Sequence, residues 1–153
     1  MVAVNRMRLG RFEFAIDFAE FRYITQSRSG PGWDFNFRGE CLNDDPEDPT
    51  FLYGGVGVFT EAAPLPLAKA DDYTGVEIDL PGGYDEATGE PYFGISNGEN
   101  YEVSDVRLRF ARRDGGRYLI EITGTASPSV LGHPERFELS AWAEEQPDHA
   151  YPA

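Results

Sequence analysis

Residues 92–124 constrain the fold of this chain more than any other stretch, because they set their own strand pairing. They read YFGIS-NG-ENYEVSDVRLRFARR-DGG-RYLIEITG, alternating runs joined by turn signals. Asn97-Gly98 suits a two-residue type I′ turn, since both residue types accept positive φ. The second turn is decided by register. A two-residue loop at Asp114-Gly115 would set Phe110 opposite Leu119 and Leu108 opposite Glu121, mixing apolar and polar faces. A three-residue loop, Asp114-Gly115-Gly116, sets Phe110 opposite Ile120 and Leu108 opposite Ile122, with Arg109 opposite Glu121 on the reverse face. The stretch therefore reads as an antiparallel meander. Its apolar parity switches between Val103 and Val106, which calls for a bulge at Ser104-Asp105.

The rest of the chain continues in the same style. Phe12, Phe14, Ile16 and Phe18 alternate along one strand face, and Phe21 and Tyr23 take the opposite parity, so a bulge is expected near Ala19-Glu20. Trp33, Phe35 and Phe37 form a second inward row. Residues 51–59 read as a glycine-interrupted strand, with Gly55 and Gly57 between Tyr53 and Phe59, where a ring is expected to pack over the gap. Val76, Ile78 and Leu80 form a further strand, as do Phe137, Leu139 and Ala141. The proline-containing connection 62–74 leaves room for one helical turn over 67–71. Residues 144–153 read as an acidic tail that frays, leaving a single domain over 1–143. About eight short strands with Gly/Pro turns make the chain all-β, either an antiparallel β-sandwich or a closed β-barrel. Pattern alone leaves both open.

Charge narrows the partners. The net charge is −14. Residues 1–40 carry six Arg against five acids, 41–100 one Lys against thirteen acids, and 101–153 six Arg against nine acids. The middle of the chain therefore holds nearly all of the imbalance. Nucleic acid and anionic membrane surfaces are disfavoured as partners, because both are bound through Lys and Arg. A basic protein surface is the partner this balance suits. With 11 Phe, 8 Tyr and 2 Trp, the chain has the aromatic content for a folded core. A lone cysteine, Cys41, excludes an internal disulfide, and no secretion signal is visible, so a cytoplasmic setting is expected.

The motifs of common chemistries are missing. His133 and His149 stand apart, with no HxxxH or CxxC spacing for zinc. Asp44, Asp45, Glu47 and Asp48 crowd one loop, but without the D-x-D-x-D-G order of a calcium hand, and they read first as a solvated acidic loop. There is no G-x-S-x-G elbow and no phosphate cradle; Gly54-Gly-Val-Gly57 lacks the lysine and the helix a P-loop needs. No catalytic residue, cofactor or metal is assigned. The expectation is a non-enzymatic binding protein, of the inhibitor or immunity type. It would use an acidic surface, Asp44, Asp45, Glu47, Asp48, Asp85 and Glu86, against a basic partner. A ligand-binding barrel or an enzyme with a pocket walled by Tyr53, Tyr92 and Tyr101 is the alternative, and a self-assembling structural subunit a further one.

Overall fold

The computed structural model describes residues 1–43, 55–98, 100–128 and 132–152, which form ten strands and no helix. The strands are β1 (Arg6–Leu9), β2 (Phe12–Gln26), β3 (Gly32–Cys41), β4 (Gly55–Phe59), β5 (Glu77–Leu80), β6 (Gly94–Ser96), β7 (Asn100–Asp114), β8 (Arg117–Pro128), β9 (Glu135–Glu145) and β10 (His149–Ala150). In space, β1, β9, β8, β7, β6, β4, β3 and β2 follow one another as antiparallel neighbours, and β2 returns to β1, closing an eight-stranded barrel. The architecture is the barrel, not the sandwich. The extra strands sit on its wall: β5 continues the line of β6 along β7, and β10 lies parallel to β2.

The meander keeps the expected register but reaches it differently. Phe110 faces Ile120, Leu108 faces Ile122 and Arg109 faces Glu121. Asp114, however, pairs with Arg117, so the turn is Gly115-Gly116 alone, with φ of +61° at Gly115. The additional residue is absorbed as a bulge at Ala111, between Phe110 and Arg112. The first turn also departs from type I′. Ser96 pairs with Asn100, and within that connection Gly98 takes the left-handed backbone while Asn97 does not. Asn97 is instead buried and donates from Nδ2 to the Gly55 carbonyl at 2.6 Å.

Other expectations shift by a few residues. The bulge in β2 falls between Ile16 and Phe18, earlier than expected, which turns Phe18 outward, where the Arg38 guanidinium lies 4.3 Å from its ring centre. Residues 67–71 form no helical turn. Tight turns precede the segment, with Leu65 N–H donating to the Ala63 carbonyl and Leu67 N–H to the Leu65 carbonyl, and the Trp33 indole N–H donates to the Leu67 carbonyl at 3.0 Å. Residues 146–151, expected as part of a fraying tail, make contacts with the barrel wall. Gln146 N–H donates to the Phe21 carbonyl, Tyr151 N–H to the Gln26 carbonyl, and Asp148 pairs with Lys69 at 2.6 Å.

Inside the barrel, aromatic rings fill the space. Phe21 stacks on Phe35 at 5.3 Å and meets Tyr73, Phe110 and Tyr118 edge-on, all of them essentially without solvent exposure. Two buried polar groups beside the rings are paired: Tyr118 Oη accepts the Tyr73 N–H, and Thr60 Oγ1 donates to the Trp33 carbonyl while accepting the Phe35 N–H. Asn97 Oδ1 is the exception, buried without a hydrogen-bond partner among the described residues.

The bulge expected at Ser104-Asp105 is present, with Asp105 in the left-handed region at φ +52°. Aspartate tolerates that backbone; a β-branched side chain does not. Asp105→Val is therefore expected to cost about 1–2 kcal/mol in chemical denaturation, and Asp105→Gly to be neutral or stabilising. Equal stabilities for the two variants would contradict this account of the bulge.

Candidate functional site

Because the barrel interior is packed with rings, room for a ligand has to be sought on the outer wall. The connection between β5 and β6 supplies one side of it. Residues 81–91, expected as an open loop, fold into a small hairpin built by Asp85. Its Oδ2 accepts the Thr88 N–H and hydroxyl, both at 2.9 Å, and its N–H donates to the Glu90 carbonyl. Gly89, at φ +73°, donates back to the Asp85 carbonyl, so the turn is tied at both ends. Tyr84 then bridges to Pro91, and Tyr92 N–H donates to the Gly83 carbonyl. The hairpin thus carries Tyr84 and Tyr92 to the flank of β7, where Tyr101 and Glu102 emerge.

Between them lies a cleft of about 320 Å³. Its lining includes Tyr84, Tyr92, Tyr101, Phe59 and Phe93, together with Glu61, Glu90 and Glu102, and no lysine or arginine. Its floor is the Phe59 ring, which lies across Gly94, where a Cβ would come within 2.7 Å of Phe59 Cζ. A ring over a glycine was the expectation for β4, although the glycine covered is Gly94 rather than Gly55 or Gly57.

The tyrosines share their hydroxyls with carboxylates. Tyr84 donates to Glu102 Oε1 at 3.1 Å, and Tyr92 points at Asp85 Oδ1 at 3.4 Å. The bond to Glu102 pushes the Tyr84 phenol above its ordinary pKa; burial and then the Asp85 charge do the same for Tyr92. Both phenols therefore stay protonated at neutral pH, and the negative potential of the cleft comes from its carboxylates.

Elsewhere the chain covers its rings with its own cations. Arg38 lies over Phe18, Arg112 and Arg117 over Trp142, Arg113 over Tyr118 and Lys69 over Tyr23. Among the described residues none lies over Tyr84 or Tyr92.

No protein-family model, curated protein or solved structure matches this chain. The reading of the site therefore rests on its own geometry.

A second cleft, of about 420 Å³, adjoins the first and shares Phe59, Thr60 and Glu61 with it. Its Arg22 and Asp34 are matched to each other within the chain. Tyr151 donates to Asp34 Oδ2 and accepts from Arg22 Nη2 at 3.0 Å, Arg22 Nε lies 3.6 Å from the same Asp34 oxygen, and Asp34 Oδ1 accepts the Ala62 N–H. Burial and the bond to Asp34 raise the Tyr151 phenol, against the opposing pull of Arg22. This cluster fastens the C-terminal strand to the barrel.

Of the residues singled out from sequence, Tyr92 and Tyr101 line the first cleft together, and Asp85 and Glu86 lie on the hairpin beside it. Asp44, Asp45, Glu47, Asp48 and Tyr53 lie outside the described residues. Sequence reading missed Tyr84, Glu61, Glu90 and Glu102. The available signal was Tyr84 and Tyr92 at the two ends of a Gly- and acid-rich loop, a spacing that a hairpin closes. His133 and His149 are both exposed, and His149 packs edge-on against Tyr151. Among the described residues no group of three or more His, Cys, Asp or Glu is placed to hold a metal ion.

Proposed function

We propose that this protein is a binding protein, of the inhibitor or immunity type, that engages a basic protein partner through the acidic cleft on its outer wall. One observation carries the reading: a cleft walled by Tyr84, Tyr92 and Tyr101, edged by Glu61, Glu90 and Glu102, and free of lysine and arginine. Aromatic faces and carboxylates together favour a cation, the first through the ring quadrupole and the second through charge. The chain's net charge of −14 has the same sign and would speed encounter with a basic surface. Support for binding over self-assembly comes from closure of the barrel, which pairs edges that copies of the chain would otherwise join through.

Rims of this kind act mainly on association rate and are screened by salt. The test is capture of partners from host lysate at low salt, release along a salt gradient, and measurement of the released protein's affinity. The expected partner has a basic surface and loses at least about tenfold in affinity between low salt and about 0.5 M salt. An affinity flat with ionic strength would overturn the reading.

A further inference from the structure

We infer that the tyrosine-walled cleft receives an arginine side chain from the partner, an inference that rests on the binding role proposed above. The choice of this cleft over its neighbour follows from charge. Arg22, Asp34 and Tyr151 satisfy one another in the adjoining cleft, whereas the carboxylates at Tyr84 and Tyr92 meet only phenol hydroxyls and hairpin groups. Among the described residues, Tyr84 and Tyr92 also carry no cation on their faces, in contrast to Phe18, Tyr23, Tyr118 and Trp142.

Arginine fits this combination better than lysine. A guanidinium is planar, so it can stack on a tyrosine ring while its N–H groups fork toward a carboxylate at the ring's edge. Glu102 sits at that edge for Tyr84, held there by the phenol hydroxyl at 3.1 Å. The guanidinium is also less strongly hydrated than an ammonium, so entering a cleft walled by Phe59, Phe93 and the tyrosines costs it less. The apolar walls, with the Phe59 ring as floor, would pack the arginine stem. An ammonium would find the same charges but make poorer use of the ring faces.

The probe is a short capped peptide with one central arginine in a glycine background. It is compared with the same peptide carrying lysine or citrulline at that position, each followed by amide chemical shifts of the isotope-labelled protein. The arginine peptide is expected to shift amides of residues 83–93 and 100–103 with an affinity of millimolar order, the lysine peptide to bind about threefold or more weaker, and citrulline to leave the spectrum unchanged. Tyr84 is 48% exposed, so Tyr84→Leu should fold normally. It is expected to weaken the arginine peptide about fivefold, which is about 1 kcal/mol of ring–cation attraction. Equal binding of lysine and arginine, shifts scattered over the acidic surface, or an unaltered Tyr84→Leu would each overturn the inference. A captured partner that still depends on Glu90 and Glu102 while the arginine peptide leaves the cleft unmoved would reject arginine and keep the binding role. A partner indifferent to those glutamates would reject both.

Discussion

Gly39→Ala is expected to destabilise the barrel by about 3 kcal/mol, at the upper end of overpacking costs, although it adds one methyl group. Gly39 sits in β3 opposite Ile16, where β2 is bulged and coils over it. A Cβ built on Gly39 overlaps the Ala15 carbonyl oxygen and falls 2.9 Å from Ala15 C and 3.1 Å from Ile16 Cα. Every one of these neighbours is backbone, so no side chain can swing aside. Relief requires β2 to withdraw from β3, which would loosen the ladder on both sides of the bulge and the buried Phe14 and Ile16 with it. Gly39 has no positive φ, so the cost is purely steric. Gly57, on the outer face of β4, supplies the contrast. A Cβ there meets nothing within 4 Å, and Gly57→Ala should be neutral or stabilising by up to about 0.5–1 kcal/mol, as usual for removing a strand glycine. Urea denaturation of the two variants checks the pair. Similar stabilities would mean that the strands do not approach as closely as described.

Phe21→Ala is expected to have the larger effect, about 3–5 kcal/mol. The ring is 1% exposed and lies at the centre of the barrel's aromatic cluster, stacked on Phe35 and edge-on to Tyr73, Phe110 and Tyr118. Its loss removes apolar burial and the ring–ring contacts of each neighbour, and the rigid barrel wall cannot collapse into the gap. Set against a typical domain stability of about 5–15 kcal/mol, the change would lower the thermal midpoint by about 6–20 °C, at about 2–4 °C per kcal/mol for a chain of this size. Calorimetry measures it directly. A loss below about 1 kcal/mol would show that Phe21 is not the keystone of the interior.

These two sites also show what the sequence could and could not reveal. Alternation carried the meander, because a one-residue slip would have turned Leu108 and Phe110 outward. The same logic located the Asp105 bulge. It gave the right register at Phe110 and Ile120 from the wrong turn, since a bulge at Ala111 and a longer loop shift pairing by the same amount. Closure was not legible. It depends on β1, whose Arg-Met-Arg-Leu offers only two apolar residues, bridging β2 and the distant β9. Nor did parity place Phe18, which it grouped with Phe12, Phe14 and Ile16, because the bulge falls before Phe18 rather than after it and has no residue signature. At the cleft, Tyr92 and Tyr101 stood out as aromatics flanking a strand. Tyr84, Glu90 and Glu102 join them only once Asp85 has folded its hairpin and β6 has paired with β7. The union of Asp34 with Tyr151 spans the whole barrel sequence and leaves no local trace.

The most direct measurement compares the captured partner's affinity for the wild-type protein and for a Glu61→Gln, Glu90→Gln, Glu102→Gln variant, at low salt and at about 0.5 M salt. All three residues line the cleft, and the amide keeps their shape while removing their charge. The expected result is a loss of about tenfold or more at low salt that shrinks as salt screens the wild-type protein. Equal affinities for the two proteins at low salt would contradict the account, and would move the partner's footprint away from the tyrosine-walled cleft.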